Sequence, residues 1–171
     1  FSVEGGDPGF GAVRFVHRAL PEVDERAVDP GVEFLGHRLP YPIFISCMTG
    51  GSEKGFLANR ELARAAQKTG LPVGMGSIRI LFEHPDLAPH FRLKELAPDV
   101  PVLANIGGVQ VRDEEHSLLF DWARRLEVDA LVVHLNPGQE LFQPEGDRDF
   151  RGIRDAIGRL CAASPVPVIV K

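Results

Sequence analysis

Hydrophobic residues gather into five short runs that recur along the chain from Tyr41 onward. The runs are Ile43–Met48, Val73–Ser77, Val102–Gly108, Ala130–Pro137 and Val166–Lys171. Helix-like stretches separate them, at a spacing of roughly 30 residues that is typical of βαβ units. The runs are continuously apolar rather than alternating, which indicates strands buried on both faces of a parallel sheet. The pattern therefore predicts an α/β fold.

Capping residues mark the ends of the predicted helices. A helix over Phe56–Thr69 is followed by Gly70, which we expect to be its C-cap. We expect Asp113 to cap the helix of the next unit and Asp149 to cap the one after that. Ahead of the repeating region, two apolar clusters on either side of a glycine predict a short hairpin over Phe34–Leu39.

All five runs end in polar or small residues, which bears on the choice between a closed barrel and an open sheet. These residues are Thr49-Gly50-Gly51, Gly76-Ser77, Asn105, His134 with Asn136, and Lys171. In a barrel such ends converge on one mouth, where the chemistry of these barrels takes place. In an open sheet they form a row whose outer members lie too far apart to share a ligand, and the G-x-G-x-x-G fingerprint is absent. We therefore predict a (β/α)8 TIM-type barrel, present as about its first five strands and four helices.

The predicted barrel divides the chain into two parts. Residues 1–40 form an irregular N-terminal arm, and residues 41–171 form the N-terminal half of the barrel. A barrel of this type takes about 250 residues, and a strand ending at Lys171 without its helix leaves the kind of hydrophobic edge that soluble proteins avoid. The sequence also begins at Phe1, without methionine. We therefore expect the chain to be incomplete at both ends.

Composition narrows the class of protein. The chain is 44% hydrophobic with a net charge of −5, and its charges are interspersed without a basic block, which argues against a nucleic-acid partner. No apolar run reaches the roughly 18–20 residues of a membrane span, and the first residues resemble no signal peptide. We expect a cytoplasmic protein. Cys47 and Cys161 are predicted to be buried free thiols, and no Cys/His spacing suggests zinc.

The strand ends offer hydroxyl, amide and backbone N–H groups with few charges. Thr49 precedes two glycines, which expose backbone N–H groups and let a flat ligand approach closely. Ser77 adds a hydroxyl, Asn105 an amide and Lys171 a cation. The isoalloxazine ring of a reduced flavin is planar, has several hydrogen-bonding edges and carries a delocalised negative charge that a lysine stabilises. These groups therefore predict a flavin site.

Five motifs at these strand ends occur in an order that resembles one family. They are Met48-Thr49-Gly50-Gly51, Gly76-Ser77-x-Arg79, Ala104-Asn105-Ile106-Gly107, His134-Leu135-Asn136-Pro137-x-Gln139-Glu140 and Val170-Lys171. From about Ile43 to Lys171 the series resembles type 2 isopentenyl-diphosphate isomerases, which are FMN enzymes of the isoprenoid pathway. The fourth motif is the most specific, because other FMN barrels share the Thr-Gly-Gly turn.

The resemblance implies a role for each matching residue. The implied FMN contacts are Met48, Thr49, Gly50, Ser77, Asn105 and Lys171, and the implied substrate contacts are Ser77, Arg79, His134, Asn136 and Gln139. Gln139 would position the alkene and Glu140 would hold Mg²⁺ against the diphosphate. The implied activity is the reversible isomerisation of isopentenyl diphosphate to dimethylallyl diphosphate, with reduced FMN as the acid and base. NADPH would serve to reduce the flavin, and we expect a homo-oligomer.

The chain departs from the family pattern in three places. The basic segment near the family's N-terminus, which grips the diphosphate, is not found, and Ile78 stands where the family often has glutamine. The half of such barrels that holds the flavin phosphate lies outside this sequence. We therefore expect the chain to be inactive by itself.

Other interpretations remain open at this point. Taken singly, the candidate residues have ordinary explanations: a tight turn for Thr49, Gly50 and Gly51, a helix cap for Ser77, a surface ion pair for Arg79, a cap or turn for Asn105, a core histidine for His134 and a solvated acid for Glu140. The flavin prediction depends on their shared position at one end of successive strands. The alternatives for the whole chain are an FMN-dependent oxidase or dehydrogenase of the 2-hydroxy-acid oxidase type and a non-catalytic half-barrel assembly module.

Overall fold

The computed structural model describes residues 9–144 and 146–171. Within them the strands are β1 (Val32–Phe34), β2 (His37–Leu39), β3 (Val73–Ser77), β4 (Val102–Gly107), β5 (Ala130–His134) and β6 (Val168–Val170). The α-helices of the same residues are α1 (Glu53–Thr69), α2 (Ile80–Glu83), α3 (Gly108–Asp113), α4 (His116–Arg125), α5 (Pro137–Phe142) and α6 (Ile153–Ala163). None of these helices is long and apolar enough to cross a lipid bilayer.

Four of the five apolar runs form a parallel sheet with the strand order β3-β4-β5-β6. Ser77 is in register with Asn105, and Gly107 is in register with His134. Lys171 follows β6 directly, and its backbone N–H donates to the carbonyl of Val133. The carboxyl ends of all four strands therefore lie at the same edge of the sheet. The α/β prediction is confirmed, and the sheet as described is not closed.

The first run, Ile43–Met48, was predicted as a strand, and that prediction is wrong beyond a single parallel bridge between Ile45 and Val73. The reason lies in two glycines of β3. A Cβ at Gly74 would lie 2.2 Å from the sulfur of Cys47, and a Cβ at Gly76 would lie 2.2 Å from the carbonyl oxygen of Thr49. Because the segment occupies the space that these side chains would fill, it passes over β3 after the bridge instead of pairing alongside it.

Alternate residues of the sheet pack into two separate hydrophobic clusters. Val102, Ala104 and Ile106 of β4 belong to the larger cluster, which includes residues of the surrounding helices. Leu103 of the same strand belongs to the smaller cluster, together with Cys47, Ala130 and Val132. Successive side chains of a strand point to opposite faces, so the smaller cluster defines the second face of the sheet, which we call the inner face.

The sheet is strongly curved toward this inner face. The segment around Ile45 lies beside β3 at one edge, and Lys171 follows β6 at the other edge. Cys47 lies over β3, and the three strand spacings from β3 to β6 across a flat sheet amount to about 14 Å, farther than a lysine side chain reaches. Lys171 nevertheless donates a hydrogen bond of 2.8 Å from Nζ to the carbonyl of Cys47. The two edges have therefore approached each other around the inner face.

The predicted hairpin is confirmed, since β1 and β2 pair antiparallel. Phe34 and the adjoining Leu35 pack against the smaller cluster, so the hairpin covers part of the inner face. Of the predicted N-terminal arm, residues 1–8 lie outside the described residues. The division of the chain at residues 40 and 41 stays a prediction.

Of the predicted helix ends, only that of α1 is confirmed. Gly70 is its C-cap, in a left-handed conformation with a φ of 70°. Asp113 is instead the last residue of α3, paired with Arg112, and the N-cap of α4 is Glu115. Asp149 bonds to Arg151, and α6 begins after the left-handed Gly152.

The two cysteines are free thiols, as predicted, but only one of them is buried. Cys47 is buried, whereas Cys161 is exposed. Its helix α6 buries Ala156 and Leu160 instead. The prediction that Cys161 is buried is therefore wrong, because it lies just off the buried stripe of that helix.

Candidate functional site

A cleft of about 420 Å³ opens where the carboxyl ends of the four strands meet the segment over β3. Its lining contains eight of the residues predicted from the strand ends, namely Met48, Thr49, Ser77, Asn105, His134, Asn136, Gln139 and Lys171. Ser46, Cys47 and Leu135 complete the lining. Gly50, Arg79 and Glu140 do not line this cleft. Residues from five separated parts of the sequence thus surround one space.

Lys171 brings the cation of the cleft. Its ammonium group donates to the carbonyl of Cys47 at 2.8 Å and lies 3.8 Å from the sulfur of Met48. It makes no ion pair with a carboxylate of the described residues. Burial raises the pKa of the neighbouring Cys47 thiol to about 11, an effect that the charge of Lys171 partly offsets. The cleft therefore holds a positive charge that protein anions leave unneutralised.

Asn105 is the buried polar residue at the base of the cleft. Its side chain is only 4% exposed, and its Oδ1 has no hydrogen-bond partner among the described residues. A buried amide oxygen without a partner is unfavourable by roughly 1–3 kcal/mol, and such groups call for an explanation. A ligand in the cleft that donates an N–H group would remove this cost.

His134 is a half-buried imidazole between β5 and the cleft. Desolvation lowers its pKa, the charge of Lys171 lowers it further, and Glu140 raises it. Its Nδ1 is buried without a partner among the described residues. A Cβ placed on Gly107 would lie 3.3 Å from Nε2 of His134, so the glycine leaves room for the ring. Desolvation and the charge of Lys171 together favour the uncharged form of the ring.

The side chain of Thr49 is hydrogen-bonded to a helix residue that the sequence pattern did not single out. Its Oγ1 lies 2.6 Å from Oδ1 of Asn59 on α1. Asn59 is 1% exposed, and the other buried residues of that helix are Phe56, Ala63 and Ala66. The sequence did contain a signal for this residue, since Asn59 is the one amide in an otherwise apolar buried stripe of α1.

The remaining predicted residues show local turn and cap contacts. Ser77 accepts a hydrogen bond from the backbone N–H of Arg79, which is exposed and makes no ion pair among the described residues. Asn136 is the N-cap of α5, where its side chain accepts from the backbone N–H of Gln139 and donates to the side chain of that residue at 2.5 Å. The cap fixes Gln139 beside Asn136 at the rim of the cleft.

Glu140 lines a second cavity of about 380 Å³, which shares His134, Leu135 and Asn136 with the cleft. Its carboxylate accepts a hydrogen bond of 3.2 Å from the backbone of Asp147. No group of three or more His, Cys, Asp or Glu side chains within residues 9–144 and 146–171 is arranged to hold a metal ion. A cation beside Glu140 would therefore need ligands other than a cluster of such side chains from these residues.

The chain resembles known proteins over almost its whole length. A family model described as FMN-dependent dehydrogenase matches residues 4–81. A protein of Synechococcus sp. named isopentenyl-diphosphate delta-isomerase is 49% identical over 95% of this chain and 47% of its own length. Proteins of the same name from Chlorobium limicola and Methanoregula boonei are 47% and 45% identical, over 95% and 99% of this chain and 46% and 47% of theirs. The chain spans about half the length of the curated relatives it matches.

Proposed function

We propose that the protein interconverts isopentenyl and dimethylallyl diphosphate, because over 95–99% of its length the chain is 45–49% identical to about half of three proteins named isopentenyl-diphosphate delta-isomerase. The observation that carries the proposal is the gathering of Thr49, Asn105 and Lys171 around one cleft at the strand ends. The curvature of the sheet and the common edge of its strand ends support the further proposal that it is part of a (β/α)8 barrel.

The chemistry of the cleft suits FMN. Asn105 offers a buried acceptor without a partner, and Lys171 offers a cation for the negative charge of a reduced flavin. The exposed Met48 provides an apolar surface beside Lys171, and Thr49 with Gly50 forms the turn next to it. When bound, reduced FMN supplies acid–base chemistry at its ring nitrogens, and NADPH is the proposed source of its electrons.

The substrate diphosphate is assigned to residues in and beside the cleft. Ser77, Arg79, His134 and Asn136 are the proposed contacts, and Arg79 is exposed without a competing carboxylate among the described residues. Desolvation and the charge of Lys171 lower the pKa of His134, which favours its neutral form before the diphosphate binds. Glu140 is proposed to hold Mg²⁺ together with diphosphate oxygens, a normal ligand set for this ion.

The proposed reaction moves one double bond without net oxidation. A proton is added to the terminal alkene carbon and another leaves the adjacent allylic position. Gln139, fixed by Asn136, positions the alkene. An alkene is a weak base, so the site must exclude water from the developing cation. Leu135 and Met48 are the apolar side chains in the cleft lining that serve this purpose.

The deciding experiment uses protein expressed from the complete gene. We expect it to bind FMN and to convert isopentenyl diphosphate anaerobically with reductant and Mg²⁺, and not in air without reductant. Oxygen consumption with a 2-hydroxy acid instead would indicate an oxidase, and absence of flavin binding would refute the proposed cofactor. Cytoplasmic location and a homo-oligomer stay predictions.

A pair of matched variants tests the metal assignment. Glu140→Gln should raise the Mg²⁺ concentration needed for half-maximal activity or abolish activity, because the carboxylate is the proposed protein ligand. Glu61→Gln is the control, since Glu61 is exposed on α1 and pairs with Arg64. Equal Mg²⁺ dependence in both variants would refute the role of Glu140.

A further inference from the structure

The hydrogen bond between Thr49 and Asn59 joins a residue of the cleft to the buried face of α1. Asn59 is 1% exposed, and the only hydrogen bond of its side chain in the described part of the chain is the one that Oδ1 accepts from the hydroxyl of Thr49 at 2.6 Å. Its Nδ2 is buried without a partner in the same residues. Burying an amide costs free energy unless it is hydrogen-bonded. Packing alone would therefore be served better by an apolar residue at this position, because the buried amide of Asn59 lowers the free energy of unfolding.

The length of the bond indicates which group donates. Bonds from hydroxyl to oxygen are usually about 2.7–2.8 Å, whereas bonds from an amide nitrogen to oxygen are about 2.9–3.0 Å. The 2.6 Å separation therefore matches donation from the Thr49 hydroxyl to the carbonyl oxygen of Asn59. A hydroxyl has one hydrogen to donate. Thr49, which lines the cleft, then has only acceptor lone pairs left for a ligand.

The cleft therefore presents two fixed acceptors, the amide oxygen of Asn105 and the hydroxyl oxygen of Thr49. An isoalloxazine ring has one N–H group in every redox state. Reduction by two electrons adds a hydrogen to a second ring nitrogen, which in the oxidised ring is an acceptor. Two acceptors are the number needed for the permanent N–H group and for the group that appears on reduction.

We propose that Asn59 is a positioning residue that fixes the Thr49 hydroxyl as an acceptor for an N–H group carried only by the reduced flavin. This inference rests on the proposed binding of FMN and adds a preference for its reduced form. Asn59 acts through Thr49 and does not touch the ligand. Without Asn59 the hydroxyl is free to rotate and donate to the oxidised ring, so the preference is lost.

The test is the midpoint potential of bound FMN, titrated anaerobically with dithionite and a reference dye in protein from the complete gene. Asn59→Leu should lower the ratio of reduced to oxidised affinity about three- to tenfold, the worth of one hydrogen bond. Since a tenfold change corresponds to 29.6 mV for a two-electron couple, the potential falls by about 15–30 mV. Thr49→Val should lower it in the same direction.

The double variant Asn59→Leu/Thr49→Val separates positioning from packing. We expect its potential to equal that of Thr49→Val, because Asn59 has no effect once the hydroxyl is gone. The control is Gln67→Leu. Gln67 lies on α1 like Asn59, but its side-chain amide bonds to Asp99 and it does not line the cleft. This variant should leave the potential unchanged.

Each outcome decides the matter. Unchanged potentials in Asn59→Leu and Thr49→Val, or additive shifts in the double variant, would overturn the inference while FMN binding stands. A wild-type protein that binds no FMN would instead overturn the proposed function. If Asn59→Leu does not fold, Asn59→Ala removes the same acceptor without inserting a branched side chain, and the same comparison applies.

Discussion

Replacing Gly76 by alanine should displace the segment that brings Thr49 to the cleft. The added Cβ would lie 2.2 Å from the carbonyl oxygen of Thr49 and 2.7 Å from its Oγ1. Real Cβ atoms essentially never approach closer than 3.0 Å, so the carbonyl must retreat by about 0.8 Å. The φ of Gly76 is not positive. Its backbone conformation is therefore open to alanine, and the steric overlap is the whole effect.

The magnitude follows from this displacement. Overpacking of this kind typically costs about 1–3 kcal/mol of stability, which we expect in the free energy of unfolding of Gly76→Ala. A hydrogen bond contributes about 0.5–1.5 kcal/mol, a factor of about 2–10 in an equilibrium constant. Because Thr49 moves with its carbonyl and its hydroxyl is displaced from the ligand, FMN affinity should fall about 2- to 10-fold.

Urea denaturation followed by circular dichroism measures the first effect, and equilibrium dialysis against FMN measures the second. Gly158→Ala is the matched control, since a Cβ there meets nothing within 4 Å. It lies within α6, where alanine is favoured over glycine by up to about 1 kcal/mol. Wild-type stability in Gly76→Ala would refute the steric argument. Reduced stability with unchanged FMN affinity would show that the segment does not shape the cleft.

Three further predictions concern other parts of the molecule. Asp129→Ala removes the carboxylate that accepts a 2.7 Å hydrogen bond from the backbone N–H of Val102 and should lower the free energy of unfolding in urea by about 2 kcal/mol; a loss below about 0.5 kcal/mol would contradict this. Desolvation lowers the pKa of His134 in the folded protein, so the unfolded chain becomes protonated at a higher pH than the folded one. The free energy of unfolding should therefore fall as the pH drops through about 6.5. His134→Asn should show a weaker dependence between about pH 7.5 and 5.5, and an unchanged dependence would refute the assignment. Iodoacetamide at pH 8 should alkylate the exposed Cys161 but not Cys47, whose pKa is about 11; peptide mapping that finds both modified without denaturant would contradict the burial of Cys47.

The sequence was sufficient for the elements whose signals are local. Continuous apolar runs predicted β3 to β6, and Gly70 predicted the end of α1, because a left-handed residue there is a property of the position itself. The path of Ile43–Met48 was not predictable in this way. It depends on space left by glycines of a strand some 30 residues later, which is a tertiary relation. Asp149 was misassigned because its neighbour Arg151 competes for the carboxylate.

The candidate cleft was predictable to the extent that it depends on strand ends. Asn105 and Lys171 come directly from the parallel register, since each lies at the carboxyl end of its strand. Asn59 was missed because it reaches the cleft through Thr49 from the side of a helix. Glu140 lines the adjoining cavity, because the short helix α5 turns its side chain toward Asp147, and its role beside the diphosphate stays a proposal.

The alternation of strand side chains between the two faces of the sheet limits where insertions and deletions can accumulate during evolution. Asn105, His134 and Lys171 all lie on the inner face, next in line to Leu103 and Val132 of the smaller cluster. Inserting or deleting one residue within a strand would turn these groups outward and present aliphatic side chains in their place. Insertions in the connecting loops leave the alternation intact. Variation in length should therefore accumulate between the strands, while the strands themselves keep a constant number of residues up to the cleft.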